Sequence, residues 1–206
     1  MRFEESRNSY LDSWALMDEM LYRLCAEHIG HGNAGAVNAK VLLIGRTFAS
    51  GVERHVRSSG TQGSAIGIMC DHILAHHREI DGIVTALRKI KEPLDATKLK
   101  EVVNGHGRFC ALVSKAARSV LVSFASKYLH FHCPVVPIYD TWASGQAWKM
   151  RDKETLYAFD CPPDGNEKYY WYCQCFFQLY KKVLADGANV RSAEYHLMCL
   201  ATEAAS

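Results

Sequence analysis

An all-α fold is predicted by three features of the sequence. Apolar residues recur at three- and four-residue steps through most of the chain, β-type alternation is scarce, and the breaks in periodicity carry glycine, proline or a capping acid. With 206 residues, 49% of them hydrophobic and no internal repeat, the chain is long enough for one substantial core and is most simply a single domain spanning 1–206.

The elements follow in order. Between 10 and 29 the apolar positions Leu11, Trp14, Leu21, Leu24, Cys25 and Ile29 recur at mostly helical steps, and Gly30 closes the helix. A polar, glycine-rich loop occupies 31–35. The apolar segment 37–44 is β-branched enough for a strand, but no partner strand is in sight, so helix is preferred. S-S-G-T-Q-G-S at 58–64 is a second loop, followed by helices over 65–77 and 79–91. The latter must end before Pro93, whose ring disfavours helix in the preceding residue. Asp95 caps a helix reaching about Val103, Gly105-His106-Gly107 turns the chain, and 108–132 supplies one or two helices. C-P-P-D-G-N at 161–166 is the strongest loop signal; an aromatic-rich helix over 168–185, ended by Gly187, and a last one over 192–204 complete the chain.

Composition narrows the function classes. No apolar run approaches the roughly 20 residues that cross a bilayer, and M-R-F-E-E-S-R lacks the features of a signal peptide, so a cytoplasmic protein is expected. Eight cysteines without a C-x-x-C fit reduced, buried thiols better than disulfides or a zinc site. His72 and His76 have the i, i+4 spacing of a helical metal site but lack the Glu and a third ligand, so a plain surface helix is expected and no metal or other cofactor is assigned. The net charge of +2 is small, yet between 96 and 131 Lys98, Lys100, Arg108, Lys115, Arg118 and Lys127 face only Glu101. Such a run suits either attraction of a phosphate backbone or an ordinary basic surface.

The candidate chemistry lies in S-F-A-S-K-Y-L-H-F-H-C-P-V-V-P-I-Y-D-T-W, from Ser123 to Trp142. A helical segment ends at Cys133-Pro134, and Pro137 keeps Val136 extended, so the next helix can begin only beyond it, with Asp140 at its N-cap. A carboxylate there accepts backbone N–H bonds at the positive end of the helix dipole; it either only caps the helix or is a reactive group held in place. Tyr139, Trp142 and Trp148 surround it, either as stacking surfaces or as core. Arg46, ending an apolar run, is placed either in the pocket or in a structural salt bridge. His130 and His132 flank Phe131 before Cys133, which reads either as a His/Cys metal corner or as packed, hydrogen-bonded core histidines.

This stretch resembles the catalytic-aspartate segment of the helix-hairpin-helix DNA glycosylase superfamily. More narrowly, S-F-A-S-K-Y-L-H-F-H with V-P-I-Y-D-T-W is similar to a bacterial group of 8-oxoguanine-glycosylase-fold proteins, and K-V-L-L-I-G-R-T-F-A-S-G-V-E at 40–53 resembles that group's apolar run and small-residue turn. The two blocks cover under a third of the chain. The resemblance implies a two-lobed helical bundle whose hairpin and catalytic segment occupy about 108–150. It also implies hydrolysis of the N-glycosidic bond of a modified base, glucosylated hydroxymethylcytosine in phage DNA or an oxidised purine, by a monomer acting on double-stranded DNA. Asp140 would be the catalytic carboxylate, Lys127 would hold phosphate or support Asp140, and Arg118, Ser123, Ser126, His130 and His132 would meet DNA. Arg46, Tyr139 and Trp142 would line the base pocket.

Two departures qualify the resemblance. The glycine-rich hairpin of many superfamily members is replaced by R-S-V-L-V-S at 118–123, so the backbone would approach phosphate through serines or a remodelled turn. The Schiff-base lysine of bifunctional relatives would fall near Val122, which predicts a monofunctional enzyme with Lys127 directed elsewhere. A non-catalytic DNA-binding module and a lyase acting through Lys127 stay open as alternatives.

Overall fold

The computed structural model describes residues 2–56, 64–154, 158–184 and 189–203. These hold ten helices and no strand: α1 (Arg2–Glu27), α2 (Ala34–Thr47), α3 (Val52–His55), α4 (Ala65–Ala75), α5 (His77–Leu87), α6 (Ala96–Ser114), α7 (Val122–His132), α8 (Thr141–Met150), α9 (Glu167–Leu184) and α10 (Val190–Glu203). The starts are fixed by local chemistry. Asn33, Ser64, Asp95 and Asp140 each accept a backbone N–H of the helix they precede, worth about 1 kcal/mol apiece.

α7 is the organising element. It is buried along almost its whole length and packs against α1, α2 and α6. Its Tyr128 is fully buried, with the rings of Phe109 and Phe124 at 5.3 and 5.5 Å. Aromatic residues of this size bury enough apolar surface that truncating one to alanine costs about 3–5 kcal/mol. α8 packs on α9 and α10, and α9 also meets α6, so α7 and α8 bring the ends of the intervening loop, 133–140, between the two sets of helices.

Several expectations change. Gly105-His106-Gly107 does not turn the chain; α6 runs through it. The glycines serve close approach instead: a Cβ on Gly107 would lie 1.8 Å from the Asp164 carbonyl oxygen, and one on Gly105 would lie 2.8 Å from Leu87. Glycine costs helix stability but is the residue that lets the 161–166 loop reach the α6 backbone. α1 begins well before residue 10, and the short α3 was not anticipated. Most of the 58–64 loop, Gly187 and Ala204 lie outside the described residues. His72 is half-buried and donates Nε2–H to the Leu112 carbonyl at 2.9 Å, tying α4 to α6 rather than standing free on a surface. All eight cysteines are unpaired and six are buried, where desolvation pushes thiols such as Cys110 up to about 11. No described helix is long and apolar enough to cross a membrane.

Candidate active site

Asp140 sits at the end of a loop whose backbone is held by side chains from three helices. Its φ of −126° and ψ of 144° are extended, and its Oδ1 accepts the Trp142 N–H at 2.9 Å, making it the N-cap of α8. Upstream, the Val136 carbonyl accepts His130 Nδ1–H at 2.7 Å and the Pro137 carbonyl accepts the Tyr169 hydroxyl at 2.7 Å. The Tyr139 N–H donates to Ser126 Oγ at 2.9 Å, and the Ile138 N–H donates to Glu194 Oε1. Buried backbone polar groups need partners, and these four have them without any regular secondary structure.

The imidazole bond fixes a tautomer. With Nδ1–H given to Val136, Nε2 of His130 is left to accept the Tyr22 hydroxyl, and burial depresses the ring to about 3, so it is neutral.

Lys127, on the same face of α7, points at Asp140. Its Nζ donates to the Phe48 carbonyl at 2.9 Å and lies 3.4 Å from Asp140 Oδ2. The lysine side chain is 5% exposed and the carboxylate 36%, so the pair lies at the boundary between interior and solvent. Burial lowers the Lys127 pKa, while Asp140 acts in the opposite sense. The Phe48 carbonyl is presented by a tight turn after α2, in which Ala49 takes a φ of 45° and Gly51 one of 86°. Alanine in the left-handed region is strained by about 1–2 kcal/mol, and such strain tends to collect beside functional groups.

Two cavities meet at this pair. One, about 370 Å³, is chiefly apolar, with Trp14, Phe48, Ile138, Trp142, Tyr195 and Met198 in its wall. The other is a groove of about 660 Å³ that shares Phe48, Ala49, Lys127, Asp140 and Trp142 with the first and continues past Arg54, His55, residues 120–123 and Lys168. Leu121 provides no side-chain cap for α7, and Leu121, Val122 and Ser123 line the groove, so the first turn of that helix and its partial positive charge lie beside it.

Asp140, Lys127, Tyr139, Trp142 and Ser123 are therefore brought together. Tyr139 is buried, edge-on to Tyr172 at 5.5 Å, with Lys168 Nζ 5.2 Å from its ring centre, whereas Trp142 is 65% exposed at the groove. The other assigned positions are corrected. Arg46 is exposed and gives Nε and Nη2 to Glu53 Oε1 at 3.0 and 2.9 Å, away from both cavities. Ser126, His130 and His132 are interior, the first two tethering the loop and the third packed against His31 and Tyr128, so none presents a surface to DNA. Of the two roles implied for Lys127, the geometry brings it to Asp140, while it is too buried to meet a phosphate chain on the surface. Arg118 is exposed and its N–H docks on the His55 carbonyl at 3.0 Å, but it stays outside the groove wall. Lys98 spends its ammonium on the Lys91 and Pro93 carbonyls at 3.0 and 2.8 Å.

Trp14, Phe48, Arg54, Lys168, Arg191, Glu194 and Tyr195 were not assigned to the site by the sequence. They come from α1, the turn after α2, α3, α9 and α10, and no spacing within the chain links them to Asp140. No protein-family model, curated protein or solved structure matches the chain.

Proposed function

We propose that the protein is a DNA glycosylase of the helix-hairpin-helix kind, a two-lobed bundle that hydrolyses the N-glycosidic bond of a modified base and leaves an abasic site. The observation that carries this reading is the position of Asp140, whose carboxylate belongs at once to an apolar cavity and to a polar groove rimmed by Arg54 and Lys168. A cavity of about 370 Å³ is within the size of small-molecule sites, roughly 300–1,000 Å³. Its aromatic wall offers the stacking that must offset the few kcal/mol spent in extruding a nucleotide. The groove offers cations and helix N-terminal amides to phosphates.

The chemistry follows from charge development. As the base departs, the sugar gains oxocarbenium character, and a fixed carboxylate beside C1′ stabilises it while orienting the attacking water. The water oxygen bonds to C1′ and its proton passes to Asp140, the bond from C1′ to the base nitrogen breaks, and the base leaves with that electron pair and takes up a proton from solvent. Lys127 fixes Asp140 Oδ2 and Trp142 N–H fixes Oδ1, so the carboxylate needs little reorganisation.

A second reading is favoured by the 3.4 Å approach of Lys127 to Asp140. An amine in this place would, in its neutral form, attack C1′ as the bond to the base breaks and the base leaves with its electron pair; loss of the amine proton and opening of the C1′–O4′ bond then give an imine with the opened sugar. One experiment addresses both. The protein is incubated with phage DNA containing glucosylated hydroxymethylcytosine and with duplexes carrying 8-oxoguanine, and abasic sites are revealed by alkali. Asp140→Asn, which keeps the cap acceptor, should lower base release at least about 100-fold while DNA binding persists. Undiminished release removes Asp140 from the chemistry, and a borohydride-trapped adduct absent in Lys127→Ala selects the amine route. Binding without release from any of these DNAs leaves a DNA-binding module.

A further inference from the structure

We propose that Glu194, braced by Arg191, is the positioning residue of the Asp140 loop and makes its ordering depend on pH around neutrality; the functional part of this rests on Asp140 being the reacting carboxylate. Glu194 lies on α10, 56 positions beyond the residue it holds, and is almost fully buried. Its Oε1 accepts the N–H of Ile138, two residues before Asp140, and its Oε2 accepts Nη1–H of Arg191 at 2.9 Å. Arg191 is braced in turn: Nε donates to Asp18 Oδ2 at 2.7 Å, the same oxygen accepts the Tyr195 hydroxyl at 2.7 Å, and the guanidinium lies 4.4 Å from the centre of the Tyr195 ring.

The charged interior is unnecessary for packing. Well-packed apolar residues in place of such a cluster are often neutral or stabilising, so the ionised arrangement has to be explained by what it holds. Both oxygens of Glu194 face donors. A proton takes one lone pair of the oxygen it joins and removes the negative charge, so protonation weakens the bond from Ile138 N–H or from the guanidinium. Around the carboxylate stand Arg191 and Tyr195 of its own helix, Asp18 and Tyr22 of α1, Lys127 and His130 of α7, and Tyr169, Tyr172 and Cys173 of α9. His130 Nδ1 is 4.0 Å from Oε1 but gives its proton to Val136. Arg191 stays charged, and burial pushes the Glu194 carboxyl up to about 7. The Ile138 N–H bond lowers that value, so releasing the tether while the carboxyl stays buried would raise it further, and loop ordering therefore strengthens as pH rises through neutrality.

Hydrogen–deuterium exchange of the full-length protein tests this without any substrate. Corrected for intrinsic exchange and referred to a core peptide of α6, protection of the 133–140 peptide should rise at least tenfold between pH 6 and 8. In Glu194→Gln, whose amide cannot accept from both donors, it should stay low and flat. Equal protection at both pH values in the wild type overturns the proposal, and that measurement needs no variant to fold. On phage DNA containing glucosylated hydroxymethylcytosine, Glu194→Gln should lower kcat with KM within about twofold and lose the rising limb near pH 7; an unchanged pH profile refutes the positioning role. Exchange that follows Glu194 while no base is released keeps the tether and discards the glycosylase reading.

Discussion

Lys127 shows how one side chain's direction alters the chemistry assigned to a sequence block. Its helical register was legible, as was the N-cap of Asp140, because a proline-stiffened approach and a capping acid act over a few residues. That Lys127 would reach the Phe48 carbonyl, 79 positions away, was not legible, since the left-handed turn at Ala49 that presents this oxygen has no signature in an alanine. The cations available to phosphate are the exposed Arg54 and Lys168. Measured by fluorescence anisotropy on duplex DNA across a salt series, Arg54→Ala and Lys168→Ala should each flatten the dependence of log K on log salt by about 0.9. Lys127→Ala should leave that slope unchanged. A flattened slope for the lysine variant and none for the other two would put the DNA on another face.

Helices were more legible than their interruptions. Periodicity and caps located most of the ten, but G-H-G in α6 reads as a turn because glycine's commonest use is conformational, and only the packed partner reveals its use as clearance. The two uses predict different mutational outcomes. Gly107→Ala would place a methyl 1.8 Å from the Asp164 carbonyl oxygen, with backbone on both sides and no flexible side chain to move aside. Urea unfolding should show a loss of about 3 kcal/mol. Gly145 in α8 has nothing within 4 Å of such a methyl, so Gly145→Ala should instead gain about 0.5–1 kcal/mol from helix propensity. A harmless Gly107→Ala would mean that the 161–166 loop does not rest on α6.

Across the whole molecule, buried histidines dominate the acid side of the stability curve. His106 and His130 are held near 3, below the ordinary 6.5, by desolvation, and His31 and His132 are lowered for the same cause. A depressed folded-state pKa gives stability that is complete above 6.5 and lost as pH falls toward 3, so His106 and His130 should each forfeit about 2 kcal/mol by pH 5. Glu194 has the opposite sign for the fold as a whole: raised from 4.5 to about 7, it stabilises at low pH and should return about 2 kcal/mol over the same interval. The histidines outweigh it, so stability from urea titrations should fall between pH 7 and 5, and a flat or rising curve would show these rings protonated inside the fold. The core pairings responsible, like the loop tethers, are invisible to periodicity because they join distant stretches of chain. The tethers also set an order of maturation. Tyr169 and Glu194 leave the ribosome after the loop they hold, so the carboxylate is synthesised before its restraints, and a nascent chain would carry Asp140 for a time with its loop untethered.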